Sequence, residues 1–289
     1  MKKHVAPSIA ILLFIIGCMF LCMPVNSEAS ASHKAYIDRS RVQTGVIDIY
    51  WIGEGGKTFQ VFIIGPDGDS RAQHTLKNTK VRYAYTLPLT FGDGEYEVVI
   101  WEKNDKEDPK YTHVLSAKIE VALDDPDLPF LAPNMYVPFT DGSEVVLLAK
   151  ALSEGKIEAH EIANVFCLYI VKNIKYDYAK LEKMKNHHSY YPYPDIRGTI
   201  IKQTGVCQDQ AALLCALLRS QGIPAMLVFG EVGIDDFAEY HAWVRIKVGP
   251  GVWVDADPTR VGCILRQDPS IQIRAHDWDP GASSVCKIM

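Results

Sequence analysis

Through the first half of the chain, apolar residues recur at every second position or in short blocks. Val46–Trp51, Thr58–Ile64, Lys80–Thr86, Glu95–Trp101 and Val114–Val121 all read this way. The pattern predicts half-buried strands. Gly65-Pro-Asp-Gly-Asp69 and Gly92-Asp-Gly94 are turn material between some of them. Short strands at this spacing over residues 34 to about 122 predict an all-β sandwich of immunoglobulin-like type. Trp51 and Trp101 read as core residues, and no constellation of reactive side chains appears here.

The period then changes. Asp124-Asp-Pro-Asp-Leu-Pro-Phe-Leu-Ala-Pro133 is rich in proline and acid and reads as an exposed linker crossed by few contacts. A unit beginning near Asn134 is expected to fold alone. Ser143 caps a predicted helix through Ser153, with Gly155 ending it, and Ile157 to about Ile174 has helical apolar spacing. A polar and aromatic connection starts at Lys175-Tyr-Asp-Tyr178 and runs to Tyr190-Tyr-Pro-Tyr-Pro194. Ala211–Leu218 is apolar nearly all round and predicts a buried helix. Arg219, Gly222 and Pro224 are its stop signals. Tyr240–Lys247 alternates like a strand, Gly249-Pro-Gly251 turns, and Val252–Asp257 returns as an antiparallel neighbour.

Reactive residues fall on these elements. Cys207 lies at the mouth of the buried helix, after Gly205. Unpaired backbone N–H groups and the positive end of the helix dipole favour an anion there. His241 lies on the first strand; Asp255 and Asp257 lie on the second and share parity, so both face one side. A thiol nucleophile, its imidazole base and a carboxylate orienting the base are the chemistry of these three types. Periodicity does not separate Asp255 from Asp257. Plainer readings stand beside this one: a structural thiol at Cys207, a satisfied core histidine at His241, and a turn-initiating Asp257 before Pro258-Thr259. Cys167 and Cys215, inside apolar helices, read as core. His187-His188 reads as a solvated loop, and no spaced Cys or His pair points to a metal.

The segments Gly205-Val-Cys207-Gln-Asp209 with Ala211, Leu217-Leu-Arg-Ser-Gln-Gly-Ile-Pro-Ala225, His241-Ala-Trp243 and Trp253 to Asp257-Pro-Thr259 resemble the transglutaminase-like family of papain-like cysteine enzymes. The resemblance spans roughly residues 140 to 262. It implies an α+β domain in which the cysteine starts a helix packed on an antiparallel sheet carrying the histidine and the acid. It favours Asp257 over Asp255 as the third member. The organisation expected is a leader over 1–31, a sandwich over 32–123, a linker over 124–138 and a transglutaminase-like domain with a polar tail over 139–289.

A formal charge of −5 over 289 residues implies no nucleic-acid or anionic-membrane partner. Met1-Lys-Lys-His, the apolar run Ile9–Met23 and Ala29-Ser-Ala31 together read as a secretory leader cleaved after Ala31. That places the protein outside the cell or at its surface. Ile15-Ile-Gly-Cys18 loosely resembles a lipoprotein box, so membrane attachment would come only through lipid on Cys18. Cleavage leaves cysteines 167, 207, 215, 263 and 286. An odd number in an exported chain fits one free reactive thiol, and Cys263 and Cys286 are candidates for a pair in the tail. The expected function is thiol acyl transfer on peptide or side-chain amides by Cys207, His241 and Asp257, as hydrolase or crosslinker. The Cys207 N–H would serve the oxyanion, with Gln203 or Gln208 assisting. No metal or organic cofactor is implied. The expected partner is a protein or peptide substrate, cell-wall or cell-surface associated. The alternative is a non-catalytic cell-surface binding module with a vestigial triad.

Overall fold

The alternating half of the chain becomes two antiparallel sheets. The computed structural model describes residues 27–29, 35–51, 58–77, 84–103, 111–186, 192–234, 237–259 and 287–288. The apolar run of the leader, Cys18, His187-His188, Cys263 and Cys286 lie outside the described residues. Strands β1 (Ser27–Ala29), β2 (Ala35–Asp38), β3 (Val46–Trp51), β4 (Thr58–Ile64), β5 (Arg71–Lys77), β6 (Ala84–Pro88), β7 (Gly94–Lys103) and β8 (Tyr111–Val121) build the N-terminal module. One sheet has the order β1-β2-β3-β6 and the other β5-β4-β7-β8.

Their inner faces share one core that includes Ile37, Ile49, Val61, Leu87, Val98 and Ile119. On β7 the reason is parity: Tyr96, Val98 and Ile100 point inward, while Glu95 and Glu97 are exposed. Each such side chain taken from water contributes about 1.5–3 kcal/mol. The Tyr96 hydroxyl accepts the Phe91 N–H at 2.7 Å and donates to the Gly92 carbonyl at 2.9 Å, which pins the turn before β7. Trp51 stacks on Phe59 with ring centroids 3.6 Å apart, as its core assignment requires. Trp101 is half-buried and stands edge-on to His113.

Residues 124–126 are exposed, but the rest of the connection packs against both halves, contrary to the expectation of a sparsely contacted linker. Leu128–Phe130 forms a 3-10 turn with Pro129 buried. A Cβ at Gly45, whose φ is 76°, would collide with the Pro129 ring. Phe130 stands edge-on to Trp253, Asp127 accepts from Lys247 Nζ, and Ala132 O accepts from Arg219 Nη1. The apolar residues interleaved with the acids and prolines explain this packing.

The C-terminal half contains α1 (Glu144–Ser153), α2 (Ala159–Asn173), β9 (Lys175–Tyr176), α3 (Tyr178–Asn186), α4 (Ile196–Lys202), β10 (Thr204–Gly205), α5 (Cys207–Arg219), β11 (Ala225–Ile234), β12 (Phe237–Gly249), β13 (Val252–Ala256) and β14 (Lys287–Ile288). The sheet has the order β13-β12-β11-β14. Ser143 is the N-cap of α1, although its hydroxyl makes no capping bond. Helix α3 replaces part of the expected polar connection, and α4 follows it. Asp177 Oδ1 accepts the Lys180 N–H at the start of α3, and Asp195 Oδ1 accepts the Gly198 N–H at the start of α4. Helix α5 is apolar all round because α1, α2 and α4 surround it on one side and β11 and β12 on the other. Gln208 through Arg219 are all buried. It ends as expected, with Gly222 at φ 74° and the Ile223 N–H bonded to Leu218 O.

Cys215 is a core thiol, and burial pushes its pKa up to about 12. Cys167, also buried in a helix, is disulfide-bonded.

Candidate active site

Three elements bring the reactive side chains together. Cys207 is the first residue of α5 and is partly exposed, while the rest of the helix is buried. First-turn N–H groups of a helix have no intrahelical acceptor and face whatever lies beyond the terminus. His241 stands on β12 and Asp257 just beyond the end of β13, strands paired antiparallel. His241 Nε2 lies 2.9 Å from Asp257 Oδ2. Cys207 is close enough to the same ring to raise its pKa. With Nε2 turned to the carboxylate, Nδ1 is the nitrogen left for the sulfur.

The charges agree with this arrangement. Burial pushes the His241 pKa down, but hydrogen bonds and charge from Asp257 and Cys207 outweigh it and raise it to about 9. Burial pushes the Asp257 carboxyl up; the bond to His241 and those from Thr259 prevail and lower it. Asp257 Oδ1 accepts from the Thr259 N–H at 3.0 Å and from its hydroxyl at 2.6 Å, so both carboxylate oxygens are fixed.

Asp255 has a different partner. Arg245, its direct neighbour across the ladder, holds it with two bonds of 2.9 and 3.0 Å. Among the two acids left open by parity, geometry gives His241 to Asp257.

Further polar residues order the nucleophile turn. Asp209 is 1% exposed. Its carboxylate accepts from Val206 N–H at 3.0 Å, Asp195 N–H at 3.1 Å and Lys180 Nζ at 2.8 and 2.7 Å. An acid at the third helical position is where a capping-box residue sits, so Asp209 had a sequence signal. Lys180, on a helix the periodicity did not show, had none. Gln208 Nε2 donates to Pro192 O at 2.7 Å, and Gln203 is the left-handed C-cap of α4 at φ 54°. Among the described residues, no group of three His, Cys, Asp or Glu side chains is arranged to hold a metal ion.

Residues 147–258 match the transglutaminase-like superfamily. That segment is transglutaminase-like. The transglutaminase-like domain thus contains Cys207, His241 and Asp257, and Thr259 lies just past its matched end. Over 126 residues the chain is 31% identical to the UPF0252 protein MJ1282 of Methanocaldococcus jannaschii, covering 41% of this chain and 34% of that protein. The chain therefore spans about a third of the length of that curated relative. Among solved structures, it is similar to a candidate cysteine protease of Cytophaga hutchinsonii, with 18% identity, 75% of each chain covered and a TM-score of 0.40. It is also similar to a TGase, with 16% identity, 44% of this chain and 33% of the other covered, and a TM-score of 0.33.

Proposed function

We propose that this protein is an exported thiol acyl-transfer enzyme acting on peptide or side-chain amides. The observation that carries the reading is the hydrogen bond of His241 to Asp257, with Cys207 close enough to the same ring to raise its pKa. Cys207 Sγ attacks the amide carbonyl as thiolate, with His241 holding the proton on Nδ1. The negative oxygen that develops meets the Cys207 N–H at the helix terminus; a single donor of this kind is typically worth about 2.7–4 kcal/mol in the transition state. His241 then gives its proton to the departing amine, and a thioester remains on Cys207. Water or a second amine, deprotonated by His241, attacks the thioester carbonyl and returns the thiol. Water as acceptor makes a hydrolase, and an amine makes a crosslinker. Asp257 keeps the His241 proton pattern in register.

The N-terminal module is read as an immunoglobulin-like sandwich that places the enzyme on a protein or cell-wall surface. Its facing strand orders, β2-β3-β6 and β5-β4-β7-β8, support this. So does Tyr96, whose hydroxyl turns back to the backbone four residues earlier, as at a tyrosine corner. The leader composition supports export; cleavage after Ala31 would remove β1 and leave β2 as the sheet edge. Lipid on Cys18 is the route by which the chain would be membrane-attached.

The test is iodoacetamide labelling against pH, with the site read by mass spectrometry, alongside assay of a glutamine-containing peptide with and without an added primary amine. Rapid labelling at Cys207 and release of ammonia support the reading. Labelling at the rate of an ordinary cysteine, with no amide turnover, sinks it and leaves a binding module.

A further inference from the structure

The two modules meet beside the nucleophile. Tyr193 Oη donates to the carbonyl of Thr75 on β5 at 2.6 Å. One residue earlier, Pro192 O accepts from Gln208 Nε2 at 2.7 Å. Two residues later, Asp195 N–H donates to Asp209 Oδ1 at 3.1 Å. Residues 192–195 therefore bridge a sandwich strand and the first turn of the helix that begins with Cys207. Tyr136, buried beneath this bridge, extends the contact. Its ring stands edge-on to Tyr193 at 5.8 Å and to Phe229 at 6.4 Å, and its hydroxyl lies 3.1 Å from His74 Nδ1 on β5. Phe229 precedes Gly230, the residue paired with His241 across the ladder. The sandwich is thus connected to the thiol through Tyr193 and to the strand of the base through Tyr136.

We propose that Tyr193 is a positioning residue through which the N-terminal sandwich fixes the attack geometry of Cys207. The bonds to Gln208 and Asp209 can hold the first turn of α5 only as firmly as residues 192–195 are themselves held. The bond to Thr75 anchors that segment to a strand paired with β4 along its whole length. Nucleophiles lose rate steeply with small displacements, so a loosened support acts at the sulfur. This rests on the reading of Cys207 as the nucleophile.

Tyr193→Phe in the full chain keeps the ring against Tyr136 and removes the bond to Thr75. The readout is the rate constant for iodoacetamide at Cys207 in folded protein, well below the unfolding temperature. A net hydrogen bond is worth enough to slow it about three- to tenfold. Gln208→Leu cuts the same bridge from the α5 side and should slow labelling similarly. The double variant should be no slower than the slower single one, since both act through one segment. An unchanged rate in folded Tyr193→Phe, or fully additive losses, overturns the proposal. Should Tyr193→Phe not fold, Gln208→Leu decides alone, and an unchanged rate overturns it. Slow labelling of the wild-type protein would instead count against the acyl-transfer reading itself.

Discussion

Asp257 holds Nε2 of His241 at 2.9 Å, while Asp255, two residues earlier, is gripped by Arg245. Asp257→Asn should therefore lower turnover by about 10³–10⁴-fold with the fold intact, because an amide stabilises the wrong imidazole tautomer. Asp255→Asn breaks a half-exposed ion pair and should cost about 1 kcal/mol of stability or less, with turnover changed only severalfold. Steady-state kinetics and urea unfolding of both variants check this, and the reverse ranking would transfer the orienting role to Asp255.

The pair of acids also shows where sequence stops being informative. Period-two alternation put Asp255 and Asp257 on one face, but which cation lies across from each depends on register and on where β13 ends. Helix α5 was legible in full because its apolar run, Gly222 and Pro224 are local signals. Helix α3 was not, since none of its residues is buried and no apolar stripe marks it. It stands on the Asp177 cap and on good helix formers such as Ala179, Leu181 and Met184. The contact of His74 with Tyr136 joins residues 62 apart in sequence, and nothing local announces it.

His241 makes stability depend on alkaline pH. Its folded pKa, about 9, lies above the ordinary 6.5, so its contribution is full below 6.5 and is lost as pH rises through 9. Asp257 is shifted the other way. Its contribution is present above the ordinary 3.8 and is lost as pH falls through its lowered folded value. Between pH 6 and pH 10 the wild-type protein should lose on the order of 2–3 kcal/mol relative to His241→Ala. Denaturant unfolding of both proteins at the two pH values measures it, and an equal loss in both would exclude His241 as the source. Amide turnover should also fall above pH 9, as the proton for the leaving amine is lost.

Burial separates two ion pairs that look alike on paper. Lys180 with Asp209 is 19% and 2% exposed, whereas Arg197 with Glu144 is 72% and 49% exposed. Lys180→Met leaves a buried carboxylate without its cation and should cost about 3 kcal/mol. Arg197→Ala should cost less than about 1 kcal/mol. Urea midpoints at constant slope decide between them, and comparable small losses would mean that water reaches Asp209.

The contacts across residues 124–137 predict what removal of the sandwich does. A fragment beginning at Asn134 loses the bond from the Met135 N–H to Thr86 O, the one from Tyr193 to Thr75 O, and the cover of His74 over Tyr136. Tyr136 is almost fully buried in the whole chain, and its exposure alone would cost about 1.5–3 kcal/mol of hydrophobic stabilisation. The core around α5 stays complete in the fragment, because Leu213, Leu214 and Leu217 pack within the C-terminal half. The fragment should therefore fold, with a melting temperature several degrees below that of the same unit in the full chain and with increased binding of a hydrophobic dye. Calorimetry and dye titration of the two proteins check this. A fragment as stable as the full chain and no more adhesive to the dye would show that the packed connection contributes nothing to holding the transglutaminase-like domain together.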